Sequence, residues 1–243
     1  MSAAADIAGV LSRDAIAEVR AVVQALAAFE PDLDALPKAL ETIPFQTFVP
    51  DRRALAWRGL YLSIYQQPKR VVLVGSIDHA PELAGLAEDT AGLLIVETDA
   101  ATVSTAEMLP RGTQWRSLTE FDAGLDVEDR IALATALVSG LQPDSALILG
   151  SRAGWEMLVR YGNAIRLNTA LFGTLAAVPD LSIADLFRTY LVRCLPVLTA
   201  ICGSDHRALQ RFAEMFGLSA AERVKLRDWR DTDGLLAAAG GRT

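Results

Sequence analysis

The chain has 243 residues, 51% of them apolar and 22% charged, which is enough to bury one sizeable core. Its formal net charge of −7, from 30 acidic and 23 basic side chains, argues against a nucleic-acid partner and gives no general attraction to anionic lipid. No apolar run approaches the roughly 18–20 residues that cross a bilayer, and the opening MSAAADIAGVLSRD lacks the layout of a signal peptide. Two cysteines, Cys194 and Cys202, are too few for a disulfide framework, so the expectation is free thiols in a cytoplasmic protein.

Residues 1–50 carry helical periodicity, with Ser12 placed to cap a helix whose apolar face includes Ile16, Val19, Val23 and Leu26. Pro31 ends that helix, and a second short one is predicted over Asp32–Thr42. Ala54–Tyr65 reads as a helix with Trp57, Tyr61 and Tyr65 on one side, explained by packing or a contact surface without any cofactor. Together residues 1–69 form an expected helical extension packed on the main domain.

From Arg70 the pattern changes to short apolar runs alternating with amphipathic stretches. Strands are predicted at 71–75, 93–98, 113–117, 146–150, Thr169–Ala176, Val197–Cys202 and 223–226. Helices are predicted between them at Pro81–Glu88, Leu125–Gly140, from the Ser151 cap to Ile165, at Leu186–Leu195 and at Ser204–Phe216, the last stopped by Gly217. Strands separated by helices of this length build right-handed βαβ units. The predicted fold is therefore α/β: a Rossmann-like, mainly parallel sheet with helices on both faces over residues 70–230, followed by a flexible tail at 231–243.

In such sheets ligands bind at the carboxyl ends of the strands. Three strand-to-helix loops are then of interest: Gly75-Ser76-Ile77-Asp78-His79, Gly150-Ser151-Arg152-Ala153-Gly154, and Cys202-Gly203-Ser204-Asp205-His206. The first strand is not followed by G-x-G-x-x-G and the chain has no G-x-x-x-x-G-K-[ST], which disfavours a dinucleotide or P-loop site. The Gly150–Gly154 loop has the ingredients of an anion site at a helix start, although Ser151 acting simply as a cap explains it too. Ser151, Asp180 and His206 occur in the chain order of an α/β-hydrolase triad, but the G-x-S-x-G elbow is missing. Cys202 and His206 have helical i, i+4 spacing without a second ligand cluster, so no metal is expected. His79 and His206 are the two histidines, which makes them the histidine candidates for a general base; an exposed loop residue is the plainer reading of His79.

The segment LQPDSALILGSRAGWEMLVRYGNAIRLNTALFGTLA (141–176) resembles the N-terminal, acceptor-side domain of bacterial GT-B glycosyltransferases of the family-4 type, used in cell-surface polysaccharide synthesis. The matching residues are Pro143, Ser151, Arg152, Gly154, Trp155, Glu156, Tyr161, Gly162, Leu171 and Phe172, and YLVRCLPVLTAICGSDHRALQRFAEMFGL (190–218) is similar to the family's next segment. The resemblance covers about Arg70–Leu226. It departs from the pattern at three places: a single glycine in the Gly75–His79 loop, Gly150 in place of the asparagine before Ser151, and Ala176–Asp180 in place of an acidic stretch.

The resemblance implies a domain that holds a glycan acceptor and takes part in hexosyl transfer from a nucleotide sugar. The donor site would be completed by a partner protein, by a longer chain or within a homo-oligomer. It implies His79 or Asp78 as the base for an acceptor hydroxyl, with Gly75, Ser76, Gly150, Ser151, Arg152, Trp155, Ser204 and His206 lining the substrate site and no separate cofactor. Two other expectations stand beside it: a non-catalytic binding or scaffolding module descended from that domain, and a distinct small-molecule enzyme such as a hydrolase using Ser151.

Overall fold

Three of the apolar runs, RVVLV, LLIVE and SALIL, are buried at every position, as strands covered on both faces must be. In the computed structural model, which describes residues 52–76, 92–102, 109, 113–176, 178, 181–203 and 206–228, they form the centre of a seven-stranded sheet. The strands are β1 (Arg70–Val74), β2 (Leu93–Glu97), β3 (Gln114–Ser117), β4 (Ser145–Leu149), β5 (Ala170–Thr174), β6 (Ala200–Gly203) and β7 (Leu226–Asp228). Their order is β3-β2-β1-β4-β5-β6-β7, and every neighbouring pair is parallel. The fold is thus α/β and Rossmann-like, with an all-parallel sheet where the sequence predicts a mainly parallel one.

The register places Val72 between Ile95 and Leu147, and Leu73 between Val96 and Ile148. Because side chains alternate along a strand, this divides the buried apolar residues between two faces. Val71, Leu73, Leu94, Val96, Ala146 and Ile148 join the larger core, while Val72, Val74, Leu93, Ile95, Leu147, Leu149 and Phe172 form a second cluster.

The chain divides into two units, Met1–Pro50 and Asp51–Thr243, and the described residues belong to the second. Helix α1 (Arg52–Ser63), which the sequence assigns to the N-terminal extension, buries Ala56 and Leu60 in the larger core of that second unit. Arg52 also pairs with Asp122 at 2.8 Å and Arg53 with Asp129 at 2.9 Å, exposed contacts worth at most about 1 kcal/mol each. The helical readings over 1–50, the Pro81–Glu88 helix and the tail at 231–243 lie outside the described residues.

A short helix α2 (Leu118–Phe121) follows β3 directly. Helix α3 (Val127–Leu141) starts at Asp126, whose carboxylate accepts from the Asp129 N–H while the Asp129 carboxylate accepts from the Asp126 N–H. Helix α4 (Arg152–Ile165) starts at Ser151, as the sequence predicts. The predicted Leu186–Leu195 helix is more complex: α5 (Ile183–Leu186) runs into a π-helical turn, Phe187–Leu191, and then α6 (Val192–Cys194). Strand β6 begins only at Ala200, because the N–H groups of Val197 and Leu198 both turn back to the Cys194 carbonyl. Helix α7 (His206–Met215) precedes the short α8 (Ala220–Arg223), capped by Ser219 and Glu222, where a strand is predicted from 223; the last strand is displaced to Leu226–Asp228. Among the described residues no helix is long and apolar enough to cross a membrane.

Candidate functional site at the switch point

From β1 the chain moves outward to β2 and β3 on one side, then returns to place β4 on the other side of β1. In open α/β sheets such a reversal marks the usual ligand position, the switch-point crevice outside the carboxyl ends of the two strands, here β1 and β4. Three segments meet there: Gly75-Ser76 after β1, Thr98-Asp99 after β2 and Gly150-Ser151-Arg152 after β4.

Glycine is required where the first and third segments meet. The Gly75 N–H donates to the Leu149 carbonyl at 3.0 Å, and a Cβ at Gly75 would lie 2.2 Å from the Gly150 carbonyl oxygen. Gly150 itself has φ of +60°, a left-handed conformation that costs other residues strain.

The start of α4 is satisfied from within the protein. The Arg152 N–H donates to Asp99 Oδ2 at 2.7 Å, and the Ala153 N–H donates to Asp99 Oδ1 at 3.3 Å. The Gly154 N–H donates to Ser151 Oγ at 2.8 Å, and the Trp155 N–H reaches the Ser151 carbonyl at 3.1 Å. Thr98 Oγ1 donates to the Val74 carbonyl at 3.1 Å and lies 2.7 Å from Ser151 Oγ. A hydroxyl has a single proton, so Thr98 must accept the Ser151 proton. The result is a directed chain from the Gly154 N–H through Ser151 and Thr98 to Val74, tying β1, β2 and β4 together.

Asp99 is half-buried, and burial raises its carboxyl above the usual 3.8; the N–H groups of Arg152 and Ala153, Thr98 and the charge of Arg130 pull the other way. Arg130 is buried in α3 and donates to the Thr98 carbonyl at 2.5 Å and the Leu125 carbonyl at 3.2 Å, which braces the β2 end of the site. Neither Thr98, Asp99 nor Arg130 belongs to the sequence-predicted set. Their one sequence signal is an acidic residue just beyond the second strand, a position that serves ligand hydroxyls in dinucleotide-binding folds.

Of the predicted residues, Gly75, Ser76, Gly150, Ser151 and Arg152 are brought together here. Ser151 is fully buried, with its proton engaged by Thr98, so it acts as a cap and not as an exposed nucleophile. The Arg152 side chain is exposed at the rim. Trp155 is fully buried in the core, where its ring stacks on Tyr190 at a centroid separation of 6.3 Å and covers Gly173 so closely that a Cβ there would lie 2.4 Å from the indole. Tyr190 sits in the π-helical turn and donates to Glu156 Oε1 at 3.1 Å. His206 begins α7 on the surface, 3.0 Å from the Gln210 amide nitrogen, and Cys202 is buried in the second core. Asp78, His79, Asp180 and Ser204 lie outside the described residues. Among the described residues there is no group of three His, Cys, Asp or Glu side chains able to hold a metal ion.

Comparison with protein-family models, with curated proteins and with solved structures gives no match.

Proposed function

We propose that this chain is a glycosyltransferase-like acceptor-side domain of bacterial polysaccharide or glycan synthesis, which presents a glycan hydroxyl in the switch-point crevice and depends on a second domain or partner for the nucleotide-sugar site. The sequence resemblance over about Arg70–Leu226 supports it, and the seven-stranded parallel sheet is the kind of unit that resemblance implies. The observation that carries the reading is Asp99: a half-buried carboxylate, held in one orientation by two backbone N–H groups, at the carboxyl edge of the sheet beside Gly75 and Gly150. Such a group accepts from a hydroxyl and orients it. Asp78 and His79 remain the candidate bases on this reading. Titration of glycan acceptors and nucleotide sugars into the protein, alone and with any co-purified partner, tests the proposal by calorimetry; absence of binding in both settings overturns it.

A second reading, a non-catalytic binding or scaffolding module, is favoured by a specific observation. The N–H groups of the first turn of α4 are all engaged internally, and Tyr61, Leu62 and Tyr65 on and just after α1 are exposed to a potential partner. Mass by light scattering separates the two: a strict monomer that captures no partner counts against the module, and acceptor binding by the monomer counts for the transferase-like domain.

A further inference from the structure

A glycine-terminated strand leading through a serine into a helix is a frame on which other proteins hold phosphate, because the first N–H groups of the helix point outward and the helix dipole favours negative charge. Here those positions are filled. Asp99 reaches from the end of β2, 53 residues away in sequence, and accepts from Arg152 at 2.7 Å and Ala153 at 3.3 Å with one oxygen each. Acceptance at both oxygens is the arrangement of an ionised carboxylate. The next N–H group, Gly154, is taken by Ser151 Oγ.

We propose that Asp99 is the resident anion of the α4 helix start and acts as a specificity determinant, excluding phosphate and carboxylate groups from the crevice between β1 and β4. Two independent features brace it there. The Asp99 N–H donates to the Gly75 carbonyl at 3.1 Å, which anchors its backbone to the end of β1. The Thr98–Ser151 hydrogen bond and the grip of Arg130 on the Thr98 carbonyl fix the residue before it. An incoming phosphate would meet a fixed negative charge and no free N–H group in this turn, in a chain already at −7. This deepens the acceptor reading, because an acceptor bound there would present an uncharged hydroxyl-bearing group, but the exclusion of anions stands on the geometry alone.

Inorganic phosphate titrated into the wild type, Asp99→Gly and Asp99→Asn at one ionic strength tests it, with circular dichroism and melting confirming that each protein is folded. Asp99→Gly frees both N–H groups and is expected to bind phosphate about tenfold tighter than the wild type, with Asp99→Asn between them. If Asp99→Gly does not fold, the comparison of Asp99→Asn with the wild type decides. Phosphate binding by the wild type as tight as by the folded variants overturns the proposal, as does no gain in either. Loss of acceptor binding in every protein would remove the acceptor reading and leave the anion result standing.

Discussion

The hydroxyls of Thr98 and Ser151 share one 2.7 Å hydrogen bond inside the protein, and neither side chain is reached by water. Thr98 passes its own proton to Val74 and Ser151 receives the Gly154 N–H, so the two act as one unit. Ser151→Ala is expected to cost about 1–2 kcal/mol through loss of the helix cap, and Thr98→Val about 1–3 kcal/mol because it leaves the Ser151 proton buried without an acceptor. The double variant should cost less than the sum. A double-mutant cycle by urea denaturation checks this, and strict additivity would show the two hydroxyls to be uncoupled.

Two glycines separate steric need from conformational need. Gly75→Ala drives a methyl group into the Gly150 carbonyl at 2.2 Å, a backbone atom that cannot turn aside, and should cost about 3 kcal/mol or more. Gly217 has φ of +60° with nothing within 4 Å of the place a Cβ would occupy, so Gly217→Ala should cost only the left-handed strain of about 1–2 kcal/mol. Melting temperatures of the two variants give the comparison; equal losses would mean that the switch-point loop yields.

Trp155 and Gly173 form a second complementary pair, large against absent. Trp155→Ala should cost about 3–5 kcal/mol, since the ring is fully buried between β5 and the π-helical turn. Gly173→Ala meets the same ring at 2.4 Å and should also destabilise, by about 1–3 kcal/mol. Trp155→Phe with Gly173→Ala should recover part of that loss by trading volume across the contact. A recovery of zero in chemical denaturation would mean that the two positions do not share space.

The pH dependence of stability should carry opposite signs at two carboxylates. Asp99 is raised above 3.8 by burial, so its folded form holds its proton longer than the unfolded chain does. Its contribution is fully present below 3.8 and is lost as pH rises through the folded value. The stability of the wild type minus that of Asp99→Asn should therefore fall across that window and then level. Glu128 is lowered from 4.5 by its hydrogen bond from Arg160, 2.6 Å away, so its contribution is present above 4.5 and fades as pH drops through the folded value. Urea midpoints of Asp99→Asn and Glu128→Gln against the wild type, taken from acid to neutral pH, check both signs.

Cys194 is fully buried, and burial pushes its thiol up to about 12, ahead of the opposing effect of Arg193 and the reinforcing one of Glu156. A thiol in that state is a poor nucleophile at neutral pH. Alkylation by iodoacetamide should therefore proceed at Cys194 only as fast as the protein opens, and rapid labelling of the native state would contradict its burial. Neither Cys194 nor Cys202 is in a disulfide, as two cysteines too few for a disulfide framework lead one to expect.

Most of what near neighbours in the chain carry was legible in the sequence. The runs VVLV, LLIV and ALIL read as strands covered on both faces because each is apolar without alternation, and Ser151 read as a cap because its bond to Gly154 spans three residues. The π-helical turn at Phe187–Leu191 and the capped helix at Ala220–Arg223 escaped that reading, since the apolar pattern does not distinguish them from an ordinary helix or a short strand. The character of the crevice, by contrast, comes from contacts between distant segments. Asp99 is an ordinary acidic residue until the strand order sets β2, β1 and β4 side by side and brings it onto N–H groups 53 and 54 positions away. The same holds for Thr98 on Ser151 and Gly75 on Gly150, because contacts of that range arise from the register of parallel strands, and no local pattern of residues encodes which carboxyl ends will meet.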